Sequence, residues 1–338
     1  MTSSMQGWQL MQPGAHNLEL VRRPIPEPGP GEVLVRVAAV ALNYRDQLIV
    51  DAAYEPGAFA PLAPCSDFAG EVVRLGAGAT RFTAGARVLG SFTCDWVDGP
   101  PPGTGQALGG VGGPGVLAEY LALPERWLVA APASLDDVQA ATLPCTALTA
   151  WNALFEQGRL RPGQAVLLQG TGGVALFALQ LARAAGARVV ITSSTESKLA
   201  RARALGATHG VLRDDEGNWV RQVQALTGGV DHVLELAAGD LTHSVAVLKP
   251  GGRLSLIGVF EGFEARLPLV PVFQKEITVQ GIYIGSRSAL ERLVAAVDAL
   301  GIQPVIDTRY PLHDFPAALQ HLRRGAFGKI VIKMPSRG

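Results

Sequence analysis

From residue 31 to 43 the stretch GEVLVRVAAVALN alternates β-branched with small or polar side chains, the two-residue period of a strand. The segment FAGEVVRLGAGATRFTAGARVLGSF (68–92) continues in this way, as strands broken by glycine turns. DGPPPGTGQALGGVGGPG (98–115) has no periodicity and reads as a surface loop or lobe. After about residue 137 the rhythm changes. A helix is expected over 148–158, a buried strand over 165–170 (AVLLQG) and a helix over 174–186, with apolar positions 174, 177, 178 and 181 on one face and Gly186 as its stop. Then follow strand 187–192, helix 196–206, strand 230–236, a turn at 249–252 and strand 253–259. The helix SALERLVAAVDALG and the strand GKIVIK close the chain. Continuous apolar strands separated by helices predict a doubly wound parallel sheet, so the fold class is α/β with a β-rich first part.

Composition narrows the class. A chain of 338 residues is about twice the length of a typical domain, and 48% hydrophobic with 17% charged residues is enough to bury a large core. Lys plus Arg (29) balances Asp plus Glu (29), so no net field draws the chain to nucleic acid or to a membrane surface. Three widely spaced cysteines (Cys65, Cys94, Cys145) suit a reducing compartment. The N-terminus lacks the features of a signal peptide, and no uncharged apolar run reaches about 18 residues. The expectation is a cytoplasmic protein acting on a small molecule.

The stretch QGTGGVA (169–175) carries the first chemistry. Gly170, Gly172 and Ala175 form G-x-G-x-x-A between a predicted strand and a predicted helix. Gly170 would make the sharp turn and Gly172 would let the backbone reach a pyrophosphate. The helix opening at Gly173 and Val174 would offer free N–H groups to the phosphates. At the end of the next strand stand Ser193 and Ser194, with Lys198 one helical turn on, where an NAD site would usually carry a carboxylate. Hydroxyls and an ammonium favour the extra phosphate of NADP(H). Glu196 matches a Ser193-x-x-Glu196 capping box, which would turn its carboxylate onto the backbone.

These motifs, together with PGPGEVLVRVAAVALNYRD, SDFAGEVV, ATLPCTALTAWNALFEQG and FGKIVIK, resemble the medium-chain dehydrogenase/reductase superfamily over nearly the whole chain, in particular its zinc-independent alcohol dehydrogenase and quinone oxidoreductase branch. The resemblance implies a GroES-like catalytic domain over 1–123, a Rossmann NADP-binding domain over 124–286 and a return to the catalytic domain over 287–338. It also implies a homodimer paired through the edges of the Rossmann sheets. For the cofactor it implies Asn43, Thr146, Thr149, Gly258, Val259, Phe260, Ile284, Gly285, Ser286 and Lys329, with Arg213 where many relatives have a tyrosine near the adenosine phosphate. The zinc-ligand positions of metal-using relatives correspond to Asn43, Ser66-Asp67 and Cys145, and the structural-zinc lobe retains Cys94 alone. A catalytic zinc needs about three protein ligands, so no metal is expected.

Without a Lewis acid, hydride transfer suits a quinone or enone, whose developing charge spreads over an enolate or phenolate that neutral donors can stabilise. The candidate catalytic residues are Asn43 and Tyr44. Asn43 would bond near the nicotinamide or hold a turn. Tyr44 would donate to the substrate oxygen or sit in the core with its hydroxyl satisfied. Asp46 is read as structural, pairing with Arg45 or a backbone group. The expected function is a zinc-independent NADP(H)-dependent oxidoreductase acting on a quinone, enone or other activated carbonyl. The alternatives are a zinc-free alcohol or aldehyde dehydrogenase and an NADPH-binding sensor or structural protein.

Overall fold

The structure, a computed structural model, describes residues 4–54, 61–103, 106–110, 112–214 and 217–335. Parts of the stretches AAYEPGA (52–58) and 98–115 lie outside those residues. The chain forms two compact units, one of Met1–Leu148 with Gly285–Gly338 and the other of Thr149–Ile284.

The first unit is the GroES-like, β-rich part. Among the described residues its main sheet runs in the order Ile306–Pro311, Lys329–Lys333, Glu32–Ala41, Asp67–Leu75, Arg87–Gly90, Leu128–Ala130, and Tyr120–Pro124 pairs with the first half of Glu32–Ala41. The alternation read over 31–43 is the strand Glu32–Ala41, which carries Val33, Val35 and Val37 into a core shared with Phe68, Val72, Val88 and Phe315. The N-terminal hairpin of Ser4–Leu10 with Leu18–Pro24 was not singled out from the sequence. Its Trp8 is held by an indole N–H donated to the Leu312 carbonyl at 2.7 Å.

Register in this sheet does chemical work. Ala41 pairs with Asp67 on one side and with Val331 on the other, both antiparallel. Counting two residues along antiparallel strands from the Ala41–Val331 pair brings Asn43 level with Lys329. Three strand ends therefore converge on one spot.

The second unit is the Rossmann part. Its parallel sheet has the order His209–Leu212, Arg188–Ser193, Ala165–Gln169, Val230–Glu235, Leu248–Leu256, Thr278–Gly281. The order reverses between Ala165–Gln169 and Val230–Glu235, the point at which such sheets bind ligands beyond the carboxyl ends of the strands. The strands hold buried Val166, Leu167, Val190, Val233 and Leu254, as continuous apolar runs demand. The helix Gly173–Ala184 differs from the one-faced helix expected: Leu176, Leu179 and Ala182 are buried along with Phe177, Ala178 and Leu181, so it is enclosed on most sides. The single helix expected over 148–158 is instead a run from Leu143 to Glu156, with π-helical turns at Leu143–Ala147 and Asn152–Glu156 around an α-helical Leu148–Trp151. Such underwound turns cluster at functional sites.

Candidate functional site

The first unit gathers a buried polar cluster where its strands converge. Asn43 precedes the helix Tyr44–Val50, and its backbone N–H donates to Asp46 Oδ2 at 2.7 Å. Asp46 therefore pairs with the backbone and not with Arg45. The Arg45 side chain turns to the Leu108 carbonyl at 2.9 Å and lies over the Phe92 ring. Lys329 is 2% exposed, and its ammonium donates to the Leu42 carbonyl and to Asn43 Oδ1, each at 2.6 Å. Asp67, fully buried at the start of its strand, accepts from Ser66 Oγ at 2.8 Å and from the Cys145 backbone N–H at 3.0 Å. Asn43, Ser66, Asp67 and the Cys145 backbone thus stand together here, with an ammonium among them.

Charge in this cluster is expensive. Burial pushes the Asp46 carboxyl up to about 7, and nearby Asp67 adds to the rise; its bond from the Asn43 N–H, Arg45 and Lys329 oppose it. Burial also raises Asp67, chiefly against the pull of Lys329. The Asn43 side chain lies close enough to help hold Asp67 down, yet its Nδ2 is buried and makes no hydrogen bond of normal length and angle. Burial and the Asp67 charge raise the Cys145 thiol, which stays protonated. Among the described residues no group of three or more His, Cys, Asp or Glu side chains is arranged to hold a metal ion.

The remaining residues expected in this unit have local roles. Tyr44 is half-buried at the first position of its helix. Thr146 lies in the first π-helical turn, its hydroxyl donating to the Thr142 carbonyl at 3.1 Å. Gly285 packs on Leu148, and Ser286 caps the helix Arg287–Leu300 by accepting the Ala289 N–H at 3.1 Å.

The second unit supplies the glycine turn. Gly170 follows its strand with φ +76°, a left-handed conformation that glycine adopts without strain. Gly172 is the N-cap residue of the helix Gly173–Ala184, is exposed, and has open space where a Cβ would stand. A sharp turn, a bare backbone and the free N–H groups of a twelve-residue helix stand at the reversal point of the sheet. That geometry fits a pyrophosphate.

The adenosine end is also assembled. Ser193 closes the strand Arg188–Ser193, and its carbonyl accepts the Arg213 N–H at 2.8 Å, so Arg213 stands beside it at the end of the neighbouring strand. Ser194 and Arg213 are exposed, and Lys198 is half-buried in the first turn of the helix Glu196–Ala204. The capping box expected from Ser193 and Glu196 is not formed. Thr195 is the cap, accepting the Lys198 N–H at 3.4 Å, and the Glu196 carboxylate pairs with Arg203 farther along the helix. The cause is register: the helix starts two residues too late for Ser193 to cap it.

Sequence reasoning missed one connection. Glu235, buried at the end of its strand, accepts from Gln169 Nε2 at 3.0 Å, from Ser244 Oγ and from the Ala237 N–H at 2.9 Å. It ties the glycine turn to the neighbouring strand across the reversal point. A charged residue ending the apolar run VDHVLEL was the available signal. Gly258 donates its N–H to the Glu235 carbonyl at 3.2 Å, with half-buried Val259 and exposed Phe260 following. Thr149 is buried, and Ile284 has φ +36°, a strained backbone for a β-branched residue and of the kind that clusters at ligand sites.

Known proteins share this organisation. Residues 29–133 match the alcohol dehydrogenase GroES-like domain, and residues 173–300 match the zinc-binding dehydrogenase model. The chain is 38% identical to a zinc-type alcohol dehydrogenase-like protein of Schizosaccharomyces pombe, over 90% of this chain and 91% of that one. It is 27% identical to the quinone oxidoreductase of Homo sapiens, over 91% of each. A solved structure from Sinorhizobium meliloti 1021, assigned there as an alcohol dehydrogenase, is 51% identical with a TM-score of 0.94, covering 98% of this chain and 99% of that one. The chain belongs to the medium-chain dehydrogenase/reductase superfamily, and is an oxidoreductase of its alcohol dehydrogenase-like kind. Among the described residues no helix is long and apolar enough to cross a membrane.

Proposed function

We propose that the protein is a zinc-independent, NADP(H)-dependent oxidoreductase that reduces a quinone, an enone or another activated carbonyl. The observation that carries this reading is the Lys329 ammonium bound to Asn43, among the side chains that stand at the ligand positions of zinc-using relatives. A cation already occupies the neighbourhood, and an amide, a hydroxyl, a protonated thiol and one carboxylate that already accepts from Ser66 and the Cys145 N–H are a poor zinc ligand set. The bound cofactor supplies hydride. The chain holds the pyrophosphate at Gly170, Gly172, Gly173 and Val174, and offers neutral donors, Asn43 and Tyr44, to the oxygen on which charge develops. Such donors stabilise an enolate or phenolate well and a localised alkoxide poorly. A second reading, plain alcohol or aldehyde oxidation, is favoured by the relatives' names.

Deuteride from labelled NADPH separates the two. Label should appear on the electron-poor carbon of a conjugated acceptor, or hydroquinone should form, with chelator leaving the rate unchanged. Label confined to the carbinol carbon of unactivated ketones or aldehydes, with no reduced double bond or hydroquinone, or activity lost to chelator, would overturn the proposal. Tyr44→Phe should lower kcat by a factor on the order of 100 if its hydroxyl is the donor.

The NADP(H) preference rests on Ser193, Ser194, Lys198 and Arg213 around one strand end, with Glu196 held by Arg203. NADPH should bind at least about tenfold tighter than NADH. Lys198→Ala should erode that ratio and leave NADH affinity nearly unchanged. Equal affinities in the wild type would refute the assignment.

We also propose a homodimer. The strand Thr278–Gly281 is the edge of its sheet, and Leu269, Val270 and Phe273 of the adjoining segment are more than half exposed. A second copy of this edge would cover them through a two-fold interface. Light scattering should give twice the 35.4 kDa chain mass, and Phe273→Glu should shift it to the monomer. A wild type that scatters as a monomer at micromolar concentration would rule the dimer out.

A further inference from the structure

Lys329 bears only donors, three N–H bonds and no acceptor. Its contact with Asn43 at 2.6 Å therefore settles a question that an amide usually leaves open, namely which end is oxygen and which is nitrogen. The oxygen must face the ammonium, because the opposite arrangement would set donor against donor. Nδ2 is then turned away from Lys329. That nitrogen is buried, on a side chain 5% exposed, and makes no hydrogen bond of normal length and angle, although the side chain lies close enough to Asp67 to help hold its carboxyl down.

A buried donor without a partner is uncommon and calls for an explanation. The rest of the cluster supplies only a loose contact with the Asp67 carboxyl. Asp67 is committed to Ser66 and to the Cys145 N–H, and Asp46 accepts through Oδ2 from the Asn43 backbone. Lys329 is anchored from its other side by the Leu42 carbonyl at 2.6 Å, so it is not free to rotate out of the way. The sheet register places it there, level with Asn43 two residues beyond the end of the neighbouring strand.

We propose that Lys329 is a positioning residue, one that fixes the Asn43 amide so that Nδ2 is presented as a hydrogen-bond donor to a carbonyl oxygen of the bound reactants. This rests on the oxidoreductase reading above and deepens it. Lys329 acts through Asn43, a role distinct from the direct cofactor contact that the family resemblance implies. The acceptor is a carbonyl-type oxygen in either case, from the nicotinamide carboxamide or from the reducible substrate, and the two sources are separable.

The test uses Asn43→Asp. When ionised, aspartate keeps an oxygen for the Lys329 ammonium, so the contact that holds the cluster survives, but it has no donor to present. Its kcat/KM at pH 8, counted per folded molecule, should fall at least about 100-fold, as for loss of a donor at a developing charge, whatever the added carboxylate costs in melting temperature. Binding of NADP+ and of adenosine 2′,5′-bisphosphate, which lacks the nicotinamide, locates the acceptor. Weakened NADP+ with unchanged bisphosphate assigns the carboxamide oxygen. Unchanged affinity for both, with reduced kcat, assigns the substrate oxygen.

Lys329→Gln and Lys329→Arg examine the positioning step directly. Glutamine can donate or accept and no longer dictates the amide orientation, so kcat should fall about tenfold. Arginine, again a donor-only cation, should recover at least part of that loss. Asn43→Asp with wild-type kcat/KM and wild-type NADP+ affinity would overturn the inference while leaving the proposed function standing. The same holds if glutamine and arginine at 329 behave alike. A wild type that binds neither NADP+ nor the bisphosphate would bring down the functional reading, and the inference with it.

Discussion

Gly172→Asp should leave the protein folded and raise the NADPH dissociation constant by roughly 1,000-fold. The two halves of that expectation come from different features of one residue. Gly172 is an N-cap residue with φ −80° and ψ −174°, ordinary extended backbone, so a side chain imposes no strain there. A Cβ added at this position meets nothing within 4 Å. Aspartate is also among the best N-cap residues, and the glycine now present makes no side-chain cap bond. The free protein should melt at the same temperature or slightly higher. A bound pyrophosphate, however, would lie where that carboxylate points. Two unit charges about 4 Å apart at an effective dielectric near 20 repel by about 4 kcal/mol, which is the factor of roughly 1,000. Gly170→Ala provides the contrast. With φ +76°, alanine there should cost about 1–2 kcal/mol of stability before any ligand is added. Fluorescence titration with NADPH beside a melting curve reads both. Tight NADPH binding by Gly172→Asp would show that the glycine turn is not the phosphate site.

The difference between these two glycines marks how far the sequence could be read. The string of residues 170–175 between an apolar run and a helical repeat identified the turn, and the structure bears out the strand Ala165–Gln169 and the helix Gly173–Ala184 around it. Both signals are local, one backbone conformation and one period, and local signals survive folding. What failed was decided by neighbours. The Ser193–Glu196 capping box satisfied the spacing rule, but Thr195 and Arg203 took the two partners because the helix begins at Glu196. The one-faced helix failed because burial is set by what surrounds an element, not by its own repeat. The cluster of Asn43, Asp67 and Lys329 shows the limit most clearly. Each residue was visible, two through a family resemblance and one as a lost ligand position, yet residues 43 and 329 meet only through strand register. Nothing in the spacing of 43, 67 and 329 announces a hydrogen bond.

That cluster makes the second large effect one of stability. Lys329→Met should destabilise the fold by about 3–5 kcal/mol near pH 8, the usual cost of leaving a buried charge without its partner. Asp67 and Asp46 are almost wholly buried, and Lys329 opposes the rise in pKa of each. The pH dependence identifies the cause. In the wild type Asp46 is raised from 3.8 to about 7, so between about pH 4 and 7 the folded chain retains a proton that the unfolded chain has released. More protons bound in the folded state means that stability falls as pH rises through this window, by an amount on the order of 4 kcal/mol, and levels off above it. Removing the ammonium raises both carboxyls further and extends the decline to higher pH. The melting temperature of Lys329→Met should therefore lie nearer the wild type at pH 5, where the carboxyls can protonate, and far below it at pH 8. Adding Asp67→Asn should restore part of the loss at pH 8, since one of the stranded charges is gone. A deficit equal at pH 5 and pH 8, and untouched by Asp67→Asn, would mean that Lys329 contributes packing alone and that its charge does not hold this cluster together.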